Sequence, residues 1–170
     1  MMRMLGAAMV MVGMVGLAWR AVGRLGERVE LLRSLQGSLS YMEEELAFRL
    51  TPLPTLLEHL AQNRQGKVGA FFQEVLTEMD RVEDVSLRQS WVRAVEESLP
   101  LLKEEERQTI AELGEVLGQY DAQTQAQSLR LAGERLAGEY LKAQSDRQRL
   151  GKVYLVLGVA GGLATVLVLI

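Results

Sequence analysis

The sequence predicts an all-α protein: an antiparallel bundle of about six helices between an N-terminal and a C-terminal transmembrane helix. Apolar residues recur at intervals of three and four through the middle of the chain, which is the period of a helix with one buried face. No stretch shows the pattern of a strand, and uncharged apolar runs stand near both ends. We therefore predict transmembrane helices over 4–22 and 153–170 and a helical domain over 27–150.

Charge and cysteine content exclude two classes of protein. The 170 residues carry a formal net charge of −3, so there is no basic excess to attract nucleic acid, and none is expected as a partner. The absence of cysteine excludes a disulfide framework, a thiol nucleophile and a thiolate metal site.

The run Val153–Ile170 contains no charged residue. About 20 apolar residues cross a ~30 Å hydrocarbon core as a helix, because each residue rises ~1.5 Å. The run Met4–Trp19 follows a single Arg3 and could be a secretory signal peptide or a retained helix. No clear small-x-small cleavage site precedes Arg20, whose charge can reach the interface, and this favours a retained helix.

Basic residues flank both apolar runs on the side of the middle domain, and this bias predicts that the domain faces the cytoplasm. The predicted membrane-interface residues are Arg20, Arg24, Arg147, Arg149 and Lys152. Glycines in the two runs either allow close packing between spans or simply reflect the high glycine content of membrane helices. These glycines are Gly6, Gly13, Gly158 and Gly162.

A long first helix is predicted after residue 27 by one apolar stripe, formed by Val29, Leu32, Leu35, Leu39, Met42 and Leu46. The segment Thr51-Pro52-Leu53-Pro54 must end it, because proline lacks an amide donor and displaces the residue before it from helical geometry. Either Thr51 caps a second helix with Pro52 in its first turn, or Pro54 begins that helix slightly later.

Two further helices are predicted before Pro100. Phe71, Phe72 and Trp91 lie at helical spacing and are expected in the core. Ser86 and Gln89 match a capping box that opens the helix containing Trp91.

Four residues near the start of the last long helix are the candidate motif: Gly114, Gly118, Asp121 and Gln125. The glycines, four apart, would allow two helices to approach closely, and Gly118 can close one helix. Asp121 can cap the following helix by binding the free amides at its start, and Gln125 would then lie one turn into that helix. Two interpretations stay open, a role in folding and direct contact with a partner.

No pattern indicates an enzyme. The sequence has no nucleotide-binding glycine loop, and His59, the single histidine, has no second imidazole for a zinc site or proton relay. We expect a non-enzymatic protein without catalytic residues, metal or cofactor.

The order of these features resembles the stage III sporulation protein AB family of endospore-forming bacteria. The residues that carry the resemblance are Leu5-Gly6, Thr51-Pro52-Leu53-Pro54, Phe71-Phe72, Trp91, Leu113-Gly114, Leu117-Gly118, Asp121, Gln125, Leu157-Gly158 and Gly162-Leu163. The resemblance implies a cytoplasmic domain similar to the F-type platform of type II secretion, in a scaffold of the outer forespore membrane on the mother-cell side.

The implied complex is channel-like and joins mother cell to forespore. Its implied partners are the ATPase stage III sporulation protein AA and other proteins of the same complex, with homo-oligomerisation as a further option. The alternative is a two-span membrane adaptor or sensor that binds a soluble regulator without any secretion-like assembly.

Overall fold

The computed structural model describes residues 2–81 and 86–169, without the side chains of 2–8, 10, 11, 14, 155, 162 and 165–169. The described residues form six α-helices and one π-helical turn and contain no strand, which confirms the all-α prediction. These elements are α1 (Met2–Glu44), the π-turn (Glu45–Arg49), α2 (Leu53–Asn63), α3 (Gly66–Arg81), α4 (Leu87–Ser98), α5 (Glu104–Val116) and α6 (Ala122–Leu169).

The number of helices is correct, but their arrangement along the chain differs from the prediction. About six helices were expected between two transmembrane helices, with continuity between the last helix and the second span left open, whereas the six described helices include α1 and α6, which contain the predicted spans. The reason is continuity: α1 passes from Met2 through Arg20 to Glu44 without a break in its helical hydrogen bonds. No proline or turn signal separates the apolar run from the amphipathic stretch.

The two predicted transmembrane helices are not supported. Within the described residues, no helix combines the length and the apolar character needed to cross a membrane. The predictions over 4–22 and 153–170 fall in part on side chains outside the description.

The apolar stripe that runs along α1 to Leu46 in the π-turn is buried as predicted, and all six of its side chains are at most 6% exposed. The helix therefore presents one continuous apolar face, while Gly37 lies on the solvent side. The carbonyl of Gly37 accepts a hydrogen bond of 3.1 Å from Nη2 of Arg64, which connects α1 to the end of α2.

The start of α2 decides between the two alternatives for the proline segment. Pro52 occupies the N-cap and Pro54 lies in the first turn, where its missing amide leaves no hydrogen bond unmade. The alternative in which Thr51 caps this helix is therefore wrong, and its hydroxyl donates to Oε2 of Glu45 at 2.7 Å instead.

The core of the middle helices is aromatic. α3 packs against α2 and α4, and α4 packs against α5. Trp91 is fully buried, with its ring centroid 5.0 Å from Phe71 in an edge-to-face arrangement and 6.2 Å from Phe72. The three aromatic residues predicted for the core thus form one cluster that joins α3 to α4.

The chain divides into two compact units. The central unit is Glu30–Tyr140, and the terminal unit consists of Met1–Val29 and Leu141–Ile170. In the terminal unit, a Cβ on Gly151 would stand 3.8 Å from a methyl of Val22, so α1 and α6 lie in van der Waals contact there.

Candidate partner-binding surface

The loop between α5 and α6 is closed by the side chain of Gln125, which is 8% exposed. Its Oε1 accepts a hydrogen bond of 3.1 Å from the amide of Gly118, and its Nε2 donates to the carbonyl of Tyr120. Gly118 has a φ of +78°, a conformation that costs glycine little and lets the chain leave α5 sharply. One amide side chain therefore satisfies two backbone groups of a tight turn.

Asp121 caps α6, as the sequence predicts. Its Oδ1 accepts from the amides of Gln123 at 3.1 Å and Thr124 at 3.0 Å, and its Oδ2 accepts from the Thr124 hydroxyl at 2.7 Å. The hydrogen bond from the Thr124 hydroxyl, followed by that from the Thr124 amide, holds the pKa of Asp121 below its usual value. The carboxylate is exposed, but three local donors already bind it.

Gly114 lies apart from this loop, under the indole of Trp91. A Cβ on Gly114 would stand 2.9 Å from Cδ1 and 3.0 Å from Cβ of Trp91, closer than real Cβ contacts. The indole Nε1 donates to the carbonyl of Ile110 at 2.7 Å, so the ring cannot slide away without losing that bond. The predicted close approach at Gly114 is confirmed, and it occurs between the side chain of α4 and the backbone of α5.

The structure thus brings Gly118, Asp121 and Gln125 together and gives Gly114 a separate packing role. Each of the four has a structural explanation. Contact of any of them with a partner stays a prediction.

A second connection, between α1 and α2, contains residues that the sequence analysis did not identify. Glu45 is 5% exposed, and its carboxylate accepts from Nη1 of Arg49 at 2.8 Å as well as from Thr51. Leu50 follows the π-turn with φ 52° and ψ 34°, a left-handed conformation that costs a non-glycine residue about 1–2 kcal/mol. The buried carboxylate of Glu45 therefore holds a strained turn through one ion pair and one hydroxyl hydrogen bond. Strained turns and π-helical turns are found often at functional sites.

This connection exposes two large apolar side chains. Phe48 is 82% exposed and Leu50 is 70% exposed, although the stripe that precedes them in α1 is buried. The position of Phe48 outside that stripe was a signal that could have identified it. No sequence signal indicates the π-turn itself.

The α5–α6 loop lies against the start of α2. A Cβ on Gly118 would stand 3.6 Å from Cδ2 of Leu53, which begins α2. Tyr120, two residues further along the α5–α6 loop, is 57% exposed. Phe48, Leu50 and Tyr120 are the large exposed apolar side chains of these two connections.

An ion-pair cluster ties α3 to α4. The Glu78 side chain is 4% exposed. Its carboxylate accepts hydrogen bonds from Nη1 of Arg93 at 2.6 Å and from Nη1 of Arg81 at 3.3 Å. The hydrogen bond from Arg93 is the main cause that lowers the pKa of Glu78, and Glu78 in turn raises the pKa of Arg93. Beside the cluster lies a groove of about 610 Å³ whose lining includes Arg88, Val92 and Glu96.

In the terminal unit, the five predicted membrane-interface residues, from Arg20 to Lys152, are all exposed. The guanidinium carbon of Arg147 lies 3.5 Å from the position of a Cβ on Gly26, so this side chain crosses from α6 to α1. A Cβ on Gly13 would meet no described atom within 4 Å, and Gly158 is half-buried. Packing predictions at Gly6 and Gly162 lie outside the described side chains.

Among the described residues, no group of three or more His, Cys, Asp or Glu side chains is arranged to hold a metal ion. His59 is exposed on α2.

Similarity to known proteins extends over nearly the full length of the chain. The family model for stage III sporulation protein AB matches residues 3–170. The chain belongs to the stage III sporulation protein AB family. The resemblance stated from the sequence motifs is therefore confirmed.

Two members of this family give the extent of the similarity. Stage III sporulation protein AB of Bacillus subtilis (strain 168) is 25% identical over 171 residues, which cover 99% of each chain. A solved structure of stage III sporulation protein AB matches with a TM-score of 0.64 at 24% identity, and covers 72% of this chain and 98% of that one. At this identity the structural match establishes the fold.

Proposed function

We propose that the protein is a non-enzymatic scaffold of a secretion-like sporulation complex, and that its central unit connects a cytoplasmic ATPase to membrane components. The observation that supports the proposal most directly is membership of the stage III sporulation protein AB family over residues 3–170. The partner proposed is the ATPase stage III sporulation protein AA, together with other proteins of the same complex that joins mother cell and forespore.

The helical architecture supports a binding role. The central unit has a rigid aromatic core and two connections held by side-chain hydrogen bonds, those of Gln125 and Glu45. Rigid elements that fix an exposed surface lower the entropy lost on association, which favours recognition. The scaffold would thus transmit force or position through fixed helices.

Binding to the purified ATPase tests this function. The full-length chain in detergent is titrated against stage III sporulation protein AA, and both the dissociation constant and the rate of ATP hydrolysis are measured. We expect saturable binding, no ATP hydrolysis by the chain alone, and a changed hydrolysis rate in the complex. Absence of binding, or hydrolysis by the chain itself, would contradict the proposal.

We also propose that the apolar ends attach the chain to the outer forespore membrane with the central unit on the mother-cell side. The apolar runs Met4–Trp19 and Val153–Ile170 and their flanking basic residues support this. Because the sequence has no cysteine, single reporters can be introduced without background. We expect Gln127→Cys to react with an impermeant thiol reagent from the cytoplasmic side and Met2→Cys to be protected; the reverse pattern would reject this orientation.

A further inference from the structure

Two contacts fix the register of α1 against α6 in the terminal unit. A Cβ on Gly151 would stand 3.8 Å from Cγ1 of Val22, and a Cβ on Gly26 would stand 3.5 Å from the guanidinium carbon of Arg147. Position 22 therefore lies opposite 151, and position 26 lies opposite 147. The two helices are antiparallel there, so each step toward the start of α1 matches one step toward the end of α6.

This register brings two exposed aromatic residues to the same level. Three residues beyond the contact of Val22 with Gly151, Trp19 on α1 lies level with Tyr154 on α6. Trp19 is 71% exposed and Tyr154 is 40% exposed. Exposed Trp and Tyr rings are typical of a membrane–water interface, because their apolar bodies enter the acyl chains while their polar atoms stay among the headgroups.

Four exposed basic residues follow this aromatic level on both helices. We call them the basic band: Arg20, Arg24, Arg149 and Lys152. At about 1.5 Å per residue they extend to about 8 Å from the aromatic level. The headgroup layer on each side of a bilayer is roughly 5–8 Å thick. The first carboxylates on the two helices, those of Glu27 and Asp146, lie about 12 Å from the aromatic level and thus outside this layer.

On the other side of the aromatic level, exposed apolar side chains cover most of the circumference of α6. At about 100° per residue they span an arc of roughly 220°. A groove on a protein covers one stripe of a helix about 100° wide, whereas acyl chains cover every side that neighbouring helices leave open. The pattern therefore favours lipid over a second copy or another protein. These side chains are those of Val153, Tyr154, Val156, Leu157, Val159 and Leu163.

We propose that the basic band binds the phosphates of anionic lipid headgroups, with Trp19 and Tyr154 at the boundary between headgroups and acyl chains. This inference rests on the membrane attachment proposed above and adds its level and its lipid class. A guanidinium binds two phosphate oxygens at once, and each basic residue near an anionic surface strengthens attachment about fivefold. Anionic lipids are preferred over zwitterionic ones because the band carries four positive charges and neither helix has a carboxylate at its level.

Quenching of tryptophan fluorescence by brominated lipids tests both the level and the lipid class. The chain contains only Trp19 and Trp91, and Trp91 is fully buried, so the difference between the wild type and Trp19→Phe isolates the Trp19 signal. The full-length chain is reconstituted in phosphatidylcholine bilayers that contain either brominated phosphatidylglycerol or the same fraction of brominated phosphatidylcholine. At low ionic strength, we expect brominated phosphatidylglycerol to compete for the lipid sites beside Trp19 at least about threefold more strongly. Bromines near the headgroup end of the acyl chains should quench Trp19 more than bromines near the methyl end.

A charge-matched pair of double variants identifies the residues responsible. Arg24→Gln with Arg149→Gln removes two charges from the basic band at exposed positions. Arg33→Gln with Arg130→Gln is the control, because it removes the same charge from exposed positions of the same two helices in the central unit. The preference for phosphatidylglycerol should fall at least about twofold in the band variant and keep the wild-type value in the control.

Flotation of the chain with the vesicles measures attachment separately from lipid preference. A chain that does not float would overturn both the attachment and this inference. If the chain floats and both brominated lipids quench Trp19 equally, or if both double variants change the preference alike, attachment stands and the basic band is not a headgroup site. A floating chain in which neither lipid quenches Trp19 would mean that another copy or another protein covers this level, and the inference is wrong.

Discussion

The indole of Trp91 lies so close to Gly114 that a Cβ added to this glycine would stand 2.9 Å from Cδ1 of the ring. The indole also makes an edge-to-face contact with Phe71, and its nitrogen donates a hydrogen bond to the Ile110 carbonyl. One side chain therefore fixes the distance between α4 and α5 and connects both to α3. The glycine is required by space rather than by backbone conformation.

Gly114→Ala should destabilise the protein. The added methyl group overpacks the core at a cost of about 1–3 kcal/mol, which exceeds the gain of about 1 kcal/mol from the higher helix propensity of alanine. Urea unfolding followed by circular dichroism measures the difference. Gly138→Ala is the control, because a Cβ on Gly138 meets nothing within 4 Å, and it should stabilise the protein. Equal effects of the two substitutions would contradict the steric explanation.

Gln125→Leu should destabilise the α5–α6 loop and lower the stability of the protein. It leaves the Gly118 amide and the Tyr120 carbonyl without their side-chain partner, and each lost hydrogen bond costs about 0.5–1.5 kcal/mol. The urea midpoint should fall accordingly. Gln127→Leu, at an exposed position on the same helix, should change stability by less than about 0.5 kcal/mol. A midpoint for Gln125→Leu equal to that of the control would show that the loop does not depend on these bonds.

Asp121 should make stability depend on pH in the acid range. Its folded-state pKa is lowered, so its contribution is present above the ordinary value of 3.8 and is lost as pH falls through the folded pKa. Asp121→Asn retains a good N-cap but cannot titrate. The melting temperature of the wild type minus that of Asp121→Asn should therefore decrease as pH falls below about 4. A difference independent of pH would contradict the assignment.

Glu78→Gln should lower the melting temperature more than removal of a surface pair does. The substitution leaves Arg93 and Arg81 facing a neutral amide in place of a carboxylate that is 4% exposed. Because the pKa of Glu78 is lowered, its contribution is present above the ordinary value of 4.5 and is lost as pH falls through the folded pKa.

The matched control is Glu115→Gln, which breaks the exposed 2.7 Å pair with Arg88. Exposed pairs contribute about 0–1 kcal/mol, so this variant should melt close to the wild type near neutral pH. If both variants melt alike at pH 7, burial does not strengthen the Glu78 cluster.

Much of the fold could be predicted because helical periodicity records which face of each helix avoids water. The six stripe residues of α1 and the three core aromatics were identified from spacing alone, and all are buried. Capping was equally local. Ser86 accepts from the Gln89 amide at 3.4 Å, and Asp121 accepts from two amides, as these residue types do at helix starts.

The structure of the α1–α2 connection could not be predicted in the same way. Of the three successive carboxylates Glu43–Glu45 only that of Glu45 is buried, because Arg49 and Thr51 bind it across a turn. Thr51 could equally have capped α2. Only the folded turn decides that the Thr51 hydroxyl donates to Glu45 rather than capping α2.

By itself the sequence determined that the protein is all-α, that the chain turns at the proline segment Thr51-Pro52-Leu53-Pro54 and which family it belongs to, since each of these depends on local residue order. Only the tertiary structure decided that Trp91 lies over Gly114, that Gln125 closes a loop and that Phe48 stays in solvent. Periodicity states which face of a helix is apolar but not which element covers it. That choice depends on contacts between residues distant in the chain, and it determines which side chains remain exposed to meet a partner.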